Sequence, residues 1–589
     1  MTYARKIAIA MHQLNYITGD FEGNFQKTRT SILTQPDADI HVLPECAVTN
    51  YASDDLFLDA AYQAKTLAYC EKYKALSKEL GITVVVGTPL RGRVGGRKMG
   101  NGLVVYTDGA EVHSAFKTHL ANYDVFDDIR WFESRLEQTG RDAELGVLDF
   151  EVRGQIVKLG FCICEDIWFP DVVSELRSLD AEIIISINSS PYAIAKGNFR
   201  RQVFRQRVGE TGVPLVYVNQ VGANDELVWD GCSAVLDPDG TIYEIEPCKE
   251  GAETVTLADE GVGFRNTVSK PPLLLNDQQE RYLMATLGLH DYFVKNGFES
   301  VVFGLSGGMD STLVAAMAVD GLGEERVNVA MMPSPYTSPG SNTRADRTAR
   351  GMGKGFKAEV WPITEEYEAA KKLFREKRGE ELGGLADENL QAQIRGNRLS
   401  ALSNHAGGRM LLLGTSNKSE LLMGYGTLYG DLRAGWSSLK DLYKSIDVFP
   451  IAEMRLAHAI DPDPVFERIW SQTFGRPLAK WSNDCRAAVR EVIDEPPSAE
   501  LRPGQKDTDS LPPYPRLDAV LWQIEDAKTS QTNEQIAELL HEDVEFVTMV
   551  RERRARPEFK RFQSAPGTKI HRKSLTTKDR RFPMTSRHA

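Results

Sequence analysis

At 589 residues the chain is long enough for two large domains or three to four small ones, and a single small module is excluded. With 42% hydrophobic and 26% charged residues it has the composition of a soluble globular protein, which excludes global disorder. A net charge of −13 argues against a protein whose whole surface grips nucleic acid, because neutralising phosphates requires a basic face. The charge is uneven: from Arg551 to Ala589 there are 13 Lys and Arg against 3 Asp and Glu, a basic end that is either simply solvated or suited to meet phosphate groups. Seven cysteines are an odd and sparse set, so no disulfide framework is expected and the compartment reads as reducing. The apolar run Ile7 to Met11 is too short for a secretory core, and no run approaches the roughly 18 residues needed to span a bilayer, which makes a cytoplasmic enzyme the default class.

In chain order, short β-rich runs alternate with polar helical stretches: Lys6–Leu14, Asp39–Glu45, Ile82–Leu90, Gly100–Gly109, Ile156–Asp166, Ala181–Ser190 and Val213–Gln220. Such alternation predicts a layered α/β domain over residues 1–262. The chain then loosens, and Pro271 and Pro272 interrupt any helix or central strand, so a linker is placed at residues 263–275. Residues 276–589 open with an amphipathic helix, Asn276 to Asn296. An apolar strand follows and runs through a glycine turn straight into another helix. Further strands at Arg326–Met332 and Met410–Thr415 predict a second α/β domain, doubly wound around a parallel sheet. The stretch Glu495–Tyr514, rich in Pro and charge, predicts a surface loop able to order over a ligand.

The glycine turn reads Ser306-Gly-Gly-Met-Asp310-Ser311 and lies where a buried strand gives way to a helix. Free backbone N–H groups and the positive end of the helix dipole converge there on one spot, which suits an anion. Adjacent glycines permit close backbone approach, the Ser306 and Ser311 hydroxyls can donate to phosphate oxygens, and Asp310 can hold Mg²⁺ against them. No Lys follows the glycines, so the turn is not a Walker A loop. It resembles the pyrophosphate loop, SGGxDS, of the ATP pyrophosphatase superfamily. That resemblance implies ATP cleavage between the α and β phosphates, with Gly304, Leu305, Ser306, Gly307, Gly308, Met309, Asp310, Ser311 and Thr415 at the nucleotide.

Leu413-Gly-Thr-Ser-Asn-Lys-Ser-Glu-Leu421 packs a strand end, a hydroxyl, a cation and a carboxylate into a short peptide. With Glu388-Asn-Leu-Gln-Ala-Gln-Ile-Arg395 and Gly424-Tyr-Gly-Thr-Leu-Tyr-Gly-Asp431 it looks like the NAD synthetase family. The family implies deamido-NAD contacts at Asn389, Arg395, Glu420 and Lys560, the last from Phe559-Lys-Arg-Phe-Gln-Ser-Ala-Pro-Gly567, and a Mg²⁺ held with ATP by Asp310 and Glu420. Where this chain has Gln393 the family usually has Arg, so one phosphate or ribose contact is either missing or supplied by Arg395 or Arg398. With two phosphates and a carboxylate on the dinucleotide, a basic segment closing over it makes electrostatic sense.

Ammonia is mostly protonated at neutral pH, and ammonium has no lone pair with which to attack. The first domain carries residues suited to releasing NH₃ locally: Glu45 after one predicted strand, Lys117 after another and Cys164 at the end of a third. Brought to one sheet edge, they make a general base, a cation for the oxyanion and a thiol nucleophile, a set suited to amide hydrolysis. Cys162 and Cys164 are expected on the same strand face by the period of two, so geometry alone does not choose between them, and the following Glu165-Asp166-x-Trp168 favours Cys164. The set resembles the nitrilase family, in particular its glutaminase branch fused to NAD synthetase, and implies an αββα sandwich with Tyr123, Ser190 and Lys196 as glutamine contacts. Where the family often has Glu, this chain has the shorter Asp128, whose role stays open.

The resemblance therefore implies that ATP adenylates deamido-NAD and that ammonia from glutamine displaces AMP, with a protein-lined path for ammonia between the two reactions. The expected partners are small molecules and a second copy in a homo-oligomer, with no nucleic acid and no membrane. Another ATP-pyrophosphatase amidotransferase, acting on a purine nucleotide or a tRNA base, is the rival enzyme. A nucleotide-binding regulator with a silent nitrilase-like half is the rival from another class. No His and Cys spacing suits zinc, so Mg²⁺ with ATP is the only metal expected.

Overall fold

A computed structural model describes residues 5–91, 96–139, 145–353, 356–405, 407–576 and 578–586. The chain divides into two compact units, Met1–Leu274 and Leu275–Ala589. Among the described residues no helix is long and apolar enough to cross a membrane, and all seven cysteines are buried and free.

The first unit is built on two sheets. One runs in the order Phe264–Asn266, Gly251–Asp259, Arg5–Gln13, Ile40–Val42, Thr83–Leu90, Met99–Thr107, Ala110–Phe116, and Phe132–Glu133 pairs beside Met99–Thr107. The other runs Ile242–Glu244, Ala234–Leu236, Leu215–Asn219, Ile183–Asn188, Gln155–Ile163, Val147–Val152. Because strand side chains alternate, each sheet has two apolar faces to cover. Ile9, Val42, Val85 and Leu103 from one sheet share a buried cluster with Leu159, Phe161, Ile185 and Val216 from the other, so the inner faces pack on each other. The outer face of the first sheet, with Val84, Val86 and Val104, is covered by Phe21, Ile32, Tyr73 and Leu76 of the helices Phe21–Leu33 and Ala60–Leu80. The outer face of the second, with Cys162, Ile184 and Tyr217, is covered by Val173, Leu176, Phe204 and Val208 of Pro170–Ser178 and Lys196–Thr211. These four layers are the expected αββα sandwich.

In the second unit a capping box of Asn276 and Gln279 starts the helix Asp277–Lys295. The sheet is parallel throughout, in the order Lys357–Val360, Val327–Met331, Ser300–Gly304, Met410–Gly414, Trp436–Ser437. Chain order thus reverses at Ser300–Gly304, and such a reversal opens a crevice at the carboxyl ends of the strands. Lys357–Val360 has no sequence signal because all four residues are exposed on an edge strand.

The basic end is not simply solvated, because part of its charge is paired inside the unit. Arg554 and Arg580 pair with Glu525 at 2.5 and 2.6 Å, Arg561 with Glu558 at 2.6 Å, and Lys569 with Asp579 at 2.5 Å, all of them buried. These four cations neutralise carboxylates inside the unit, which a charge count along the chain cannot reveal. Arg587, counted with that stretch, lies outside the described residues.

Candidate active sites

In the first unit Lys117 is buried and its Nζ donates to Glu45 Oε1 at 2.9 Å and to Asp128 Oδ2 at 2.8 Å. Burial works against the ammonium, but Asp128 and Glu45 outweigh it and hold the Lys117 pKa well above its ordinary value. Glu45 is aimed by three further bonds: Asn101 Nδ2 donates to Oε1 at 2.8 Å, the Ser189 N–H to Oε2 at 2.9 Å, and Ser189 Oγ to the Glu45 carbonyl at 3.1 Å. Asp128 is fixed by Tyr51, whose hydroxyl donates at 2.6 Å. The shorter carboxylate therefore reaches the lysine, and Asp128 is part of the site.

Cys164 follows the strand Gln155–Ile163 and takes a left-handed φ of 48°, a strained conformation for a non-glycine residue. That turn corrects the expectation for the two cysteines. Cys162 packs outward among the helices with Val172 and Phe204, whereas Cys164 joins the cluster between the sheets, because alternation ends where the strand ends. Burial, then the Glu45 charge, pushes the Cys164 thiol up, and Lys117 opposes them. Tyr123 donates to Glu165 Oε2 at 3.0 Å, and Lys196 donates to the Pro191 carbonyl at 2.8 Å. Ser190 is buried, with its N–H on Asn219 Oδ1 at 2.9 Å. A thiolate at Cys164 raises the pKa of both Tyr123 and Lys196, by repelling a phenolate and attracting an ammonium, so the three lie within electrostatic reach of one another.

In the second unit a cavity of about 470 Å³ opens at the reversal point of the sheet. Its wall contains every residue named above for ATP, from Gly304 through Ser311 and Thr415, together with Asn389, Arg395, Glu420 and Lys560. Gly307 has φ +80°, and a Cβ there would meet the Ser341 carbonyl at 2.2 Å, so only glycine fits. Gly308 caps the helix Met309–Leu322, leaving that helix's first N–H groups facing the cavity. The Ser311 hydroxyl donates to the Gly308 carbonyl at 3.1 Å and lies 3.0 Å from Ser306 Oγ, so both hydroxyls bond within the loop. Lys560 donates to the Gly424 and Gly426 carbonyls at 3.0 and 2.8 Å, and Arg395 to the Met332 carbonyl at 3.0 Å. Arg398 instead bonds the Trp361 and Pro362 carbonyls and is not in the wall, so of the two arginines only Arg395 borders the cavity.

Residues 8–260 match the carbon-nitrogen hydrolase family and residues 282–564 the NAD synthase family. The glutamine-dependent NAD(+) synthetase of Rhodobacter capsulatus is 36% identical over 99% of both chains, and that of Aquifex aeolicus 35% identical over 98% of this chain and 99% of its own. The chain belongs to the glutamine-dependent NAD(+) synthetase family. Among solved structures, the glutamine-dependent NAD+ synthetase of Acinetobacter baumannii in complex with ADP is 31% identical and superposes with a TM-score of 0.71 over 98% of each chain. The Cytophaga hutchinsonii enzyme, 19% identical with a TM-score of 0.76, shares the fold.

Several residues in the two NAD(+) synthetase family sites escaped the sequence reading. Lys444 lies in the cavity wall, forms an ion pair with Asp310, and has its Nζ 3.5 Å from Glu420 Oε1. It sits in a peptide without a glycine or strand signal, so no local pattern marks it. The Pro-rich stretch does border the cavity, pinned by Glu500 Oε1 on Ser341 Oγ at 2.9 Å and by Gln391 Nε2 on the Leu501 carbonyl at 2.9 Å. Burial and the Asp310 charge push Glu420 up to about 8, with Lys444 opposing. Asp310 and Glu420 are a hard-oxygen pair gathered on one cation, which suits Mg²⁺ once phosphate oxygens complete its shell. Among the described residues no cluster of three or more His, Cys, Asp or Glu could hold a metal without them.

Proposed function

We propose that the chain makes NAD(+) from deamido-NAD, ATP and glutamine, releasing AMP, pyrophosphate and glutamate. In the first unit Glu45 takes the proton from the Cys164 thiol, and the thiolate attacks the side-chain amide carbon of glutamine. Lys117, kept charged by Asp128, stabilises the oxyanion, and Glu45 returns the proton to the departing nitrogen as NH₃. Water activated by Glu45 then cleaves the thioester to release glutamate. Tyr123, Ser190 and Lys196 bind glutamine, Lys196 through the α-carboxylate.

In the second unit the nicotinate carboxylate attacks the α phosphorus of ATP, pyrophosphate leaves, and NH₃ displaces AMP from the adenylate. The Ser306–Gly308 N–H groups and Lys444 receive the departing pyrophosphate, Thr415 binds ATP, and Asn389, Arg395, Glu420 and Lys560 orient the dinucleotide. Asp310 and Glu420 would hold a Mg²⁺ that neutralises phosphate charge. We also infer a homo-oligomer in the cytoplasm, acting on small molecules rather than nucleic acid or membrane.

The observation that carries this function is the gathering of the glycine loop and the dinucleotide residues around one cavity. The test is incubation of the purified chain with ATP, Mg²⁺ and deamido-NAD, with either glutamine or ammonium as nitrogen source. NAD(+) is expected with both donors. A chain that binds ATP but releases no pyrophosphate with deamido-NAD and any donor refutes the function, and preferential turnover of a purine nucleotide or tRNA favours the rival amidotransferase.

A further inference from the structure

Glu420 stands in the first turn of the short helix Lys418–Met423, and Lys444 begins a π-helical turn, Lys444–Val448. A π turn has poor intrinsic stability and persists where its surroundings hold it. Here both peptides are held by a third element, the helix Tyr514–Glu525, through one fully buried side chain. Asp518 Oδ1 accepts from Ser419 Oγ at 2.5 Å, and Oδ2 accepts from both the N–H and the Oγ of Ser445 at 2.7 Å. Ser419 Oγ in turn accepts the Lys444 N–H at 2.9 Å. The residues next to Glu420 and next to Lys444 are thus tied to a single carboxylate that lies outside the cavity wall.

We propose that Asp518 is a positioning residue for the synthetase reaction: it sets the separation of Lys444 from Glu420 and Asp310 and so aims the Lys444 ammonium at the phosphates of the nucleotide. This role rests on the nucleotide reading of the cavity. The chemistry of the clamp is specific to a carboxylate, because both oxygens act only as acceptors. An asparagine in its place turns one acceptor into a donor facing N–H and O–H groups that need a partner. Releasing the clamp lets Lys444 drift, and a misplacement of about 1 Å at a reacting group costs on the order of a hundredfold in rate.

The test is a rapid-quench measurement of pyrophosphate released from ATP, Mg²⁺ and deamido-NAD without a nitrogen donor, in the full chain. Burst amplitude counts competent sites, and burst rate reports adenylation. Asp518→Asn is expected to keep its amplitude and its ATP affinity within about threefold while its burst rate falls at least about tenfold. A purely structural role lowers amplitude with the folded fraction and leaves the rate unchanged, which overturns the proposal. Should Asp518→Asn fail to fold, Ser445→Ala decides: it removes one clamp bond, keeps the carboxylate, and is expected to slow the burst by about three- to tenfold at full amplitude. A burst rate equal to wild type in Ser445→Ala then overturns the role of Asp518. A wild-type chain with no burst refutes the nucleotide reading and the clamp with it, an outcome distinct from a normal wild type with normal variants.

Discussion

The difference between Cys162 and Cys164 is one φ angle. Both thiols are buried, but only Cys164 sits on a left-handed turn beside Glu45 and Lys117. Cys164→Ala is expected to lower glutamine hydrolysis by at least about a thousandfold and to leave ammonium-driven synthesis intact, while Cys162→Ala stays within about threefold of wild type. Glutamate release measured for both variants checks this, and equal activity in the two removes Cys164 as nucleophile. Lys196 gives a pH signature. Burial lowers its pKa to about 8, with Cys164 opposing, so the ammonium is present below that pH and lost above it. If Lys196 binds the α-carboxylate, KM for glutamine rises as pH passes 8, and Lys196→Arg, which stays charged, flattens the rise. A wild-type KM independent of pH between 7 and 9 would rule the contact out.

Elements act here by bringing distant peptides to one point. Asp166 accepts N–H groups from Thr118 and His119 at 3.0 and 2.8 Å and from Ile163 at 3.0 Å, which ties the segment after Lys117 to the turn bearing Cys164. The glycine loop depends in the same way on the helix Pro339–Met352, whose Ser341 carbonyl leaves no room for a Cβ at residue 307. Gly307→Ala combines that contact with a positive φ, so it is expected to destabilise the second unit by about 1–3 kcal/mol and to abolish the pyrophosphate burst. A variant with wild-type Tm and burst would show that the loop is not under this constraint. The C-terminal segment is a third case. His571 Nε2 lies 2.8 Å from Asp447, and Arg580 pairs with Glu525, so ending the chain at Gly567 removes one buried partner from each carboxylate and leaves them Arg281 and Arg554. The truncation also deletes the buried side chains of Ile570 and Leu575, and the truncated chain is expected to show a lower Tm for the second unit in thermal denaturation.

At the scale of the molecule, two chemistries share one chain and one diffusible intermediate. NH₃ freed into water is mostly trapped as ammonium, so fusion is useful only if ammonia reaches the adenylate before protonation. Glutamine-driven NAD(+) formation is therefore expected to keep most of its rate when an ammonia-consuming enzyme is added in excess, while ammonium-driven formation collapses. Equal suppression of both would show that the intermediate escapes to solvent.

The fold classes, the order of the two domains and the glycine loop were legible in the sequence, because each is written in local terms: strand alternation, turn residues, and a loop whose neighbours along the chain are its neighbours in space. The Glu45, Lys117 and Cys164 set was expected from resemblance, and their meeting at one sheet edge was an expectation from strand ends that no local pattern fixes. What tertiary structure decided are the contacts made across long separations: Asp128 on Lys117, Lys444 between Asp310 and Glu420, Asp518 behind both, and the basic end folded onto buried carboxylates. The reason is physical. A charged side chain has no periodicity to announce it, and its role is set by which opposite charge the folded backbone leaves it beside once water is gone.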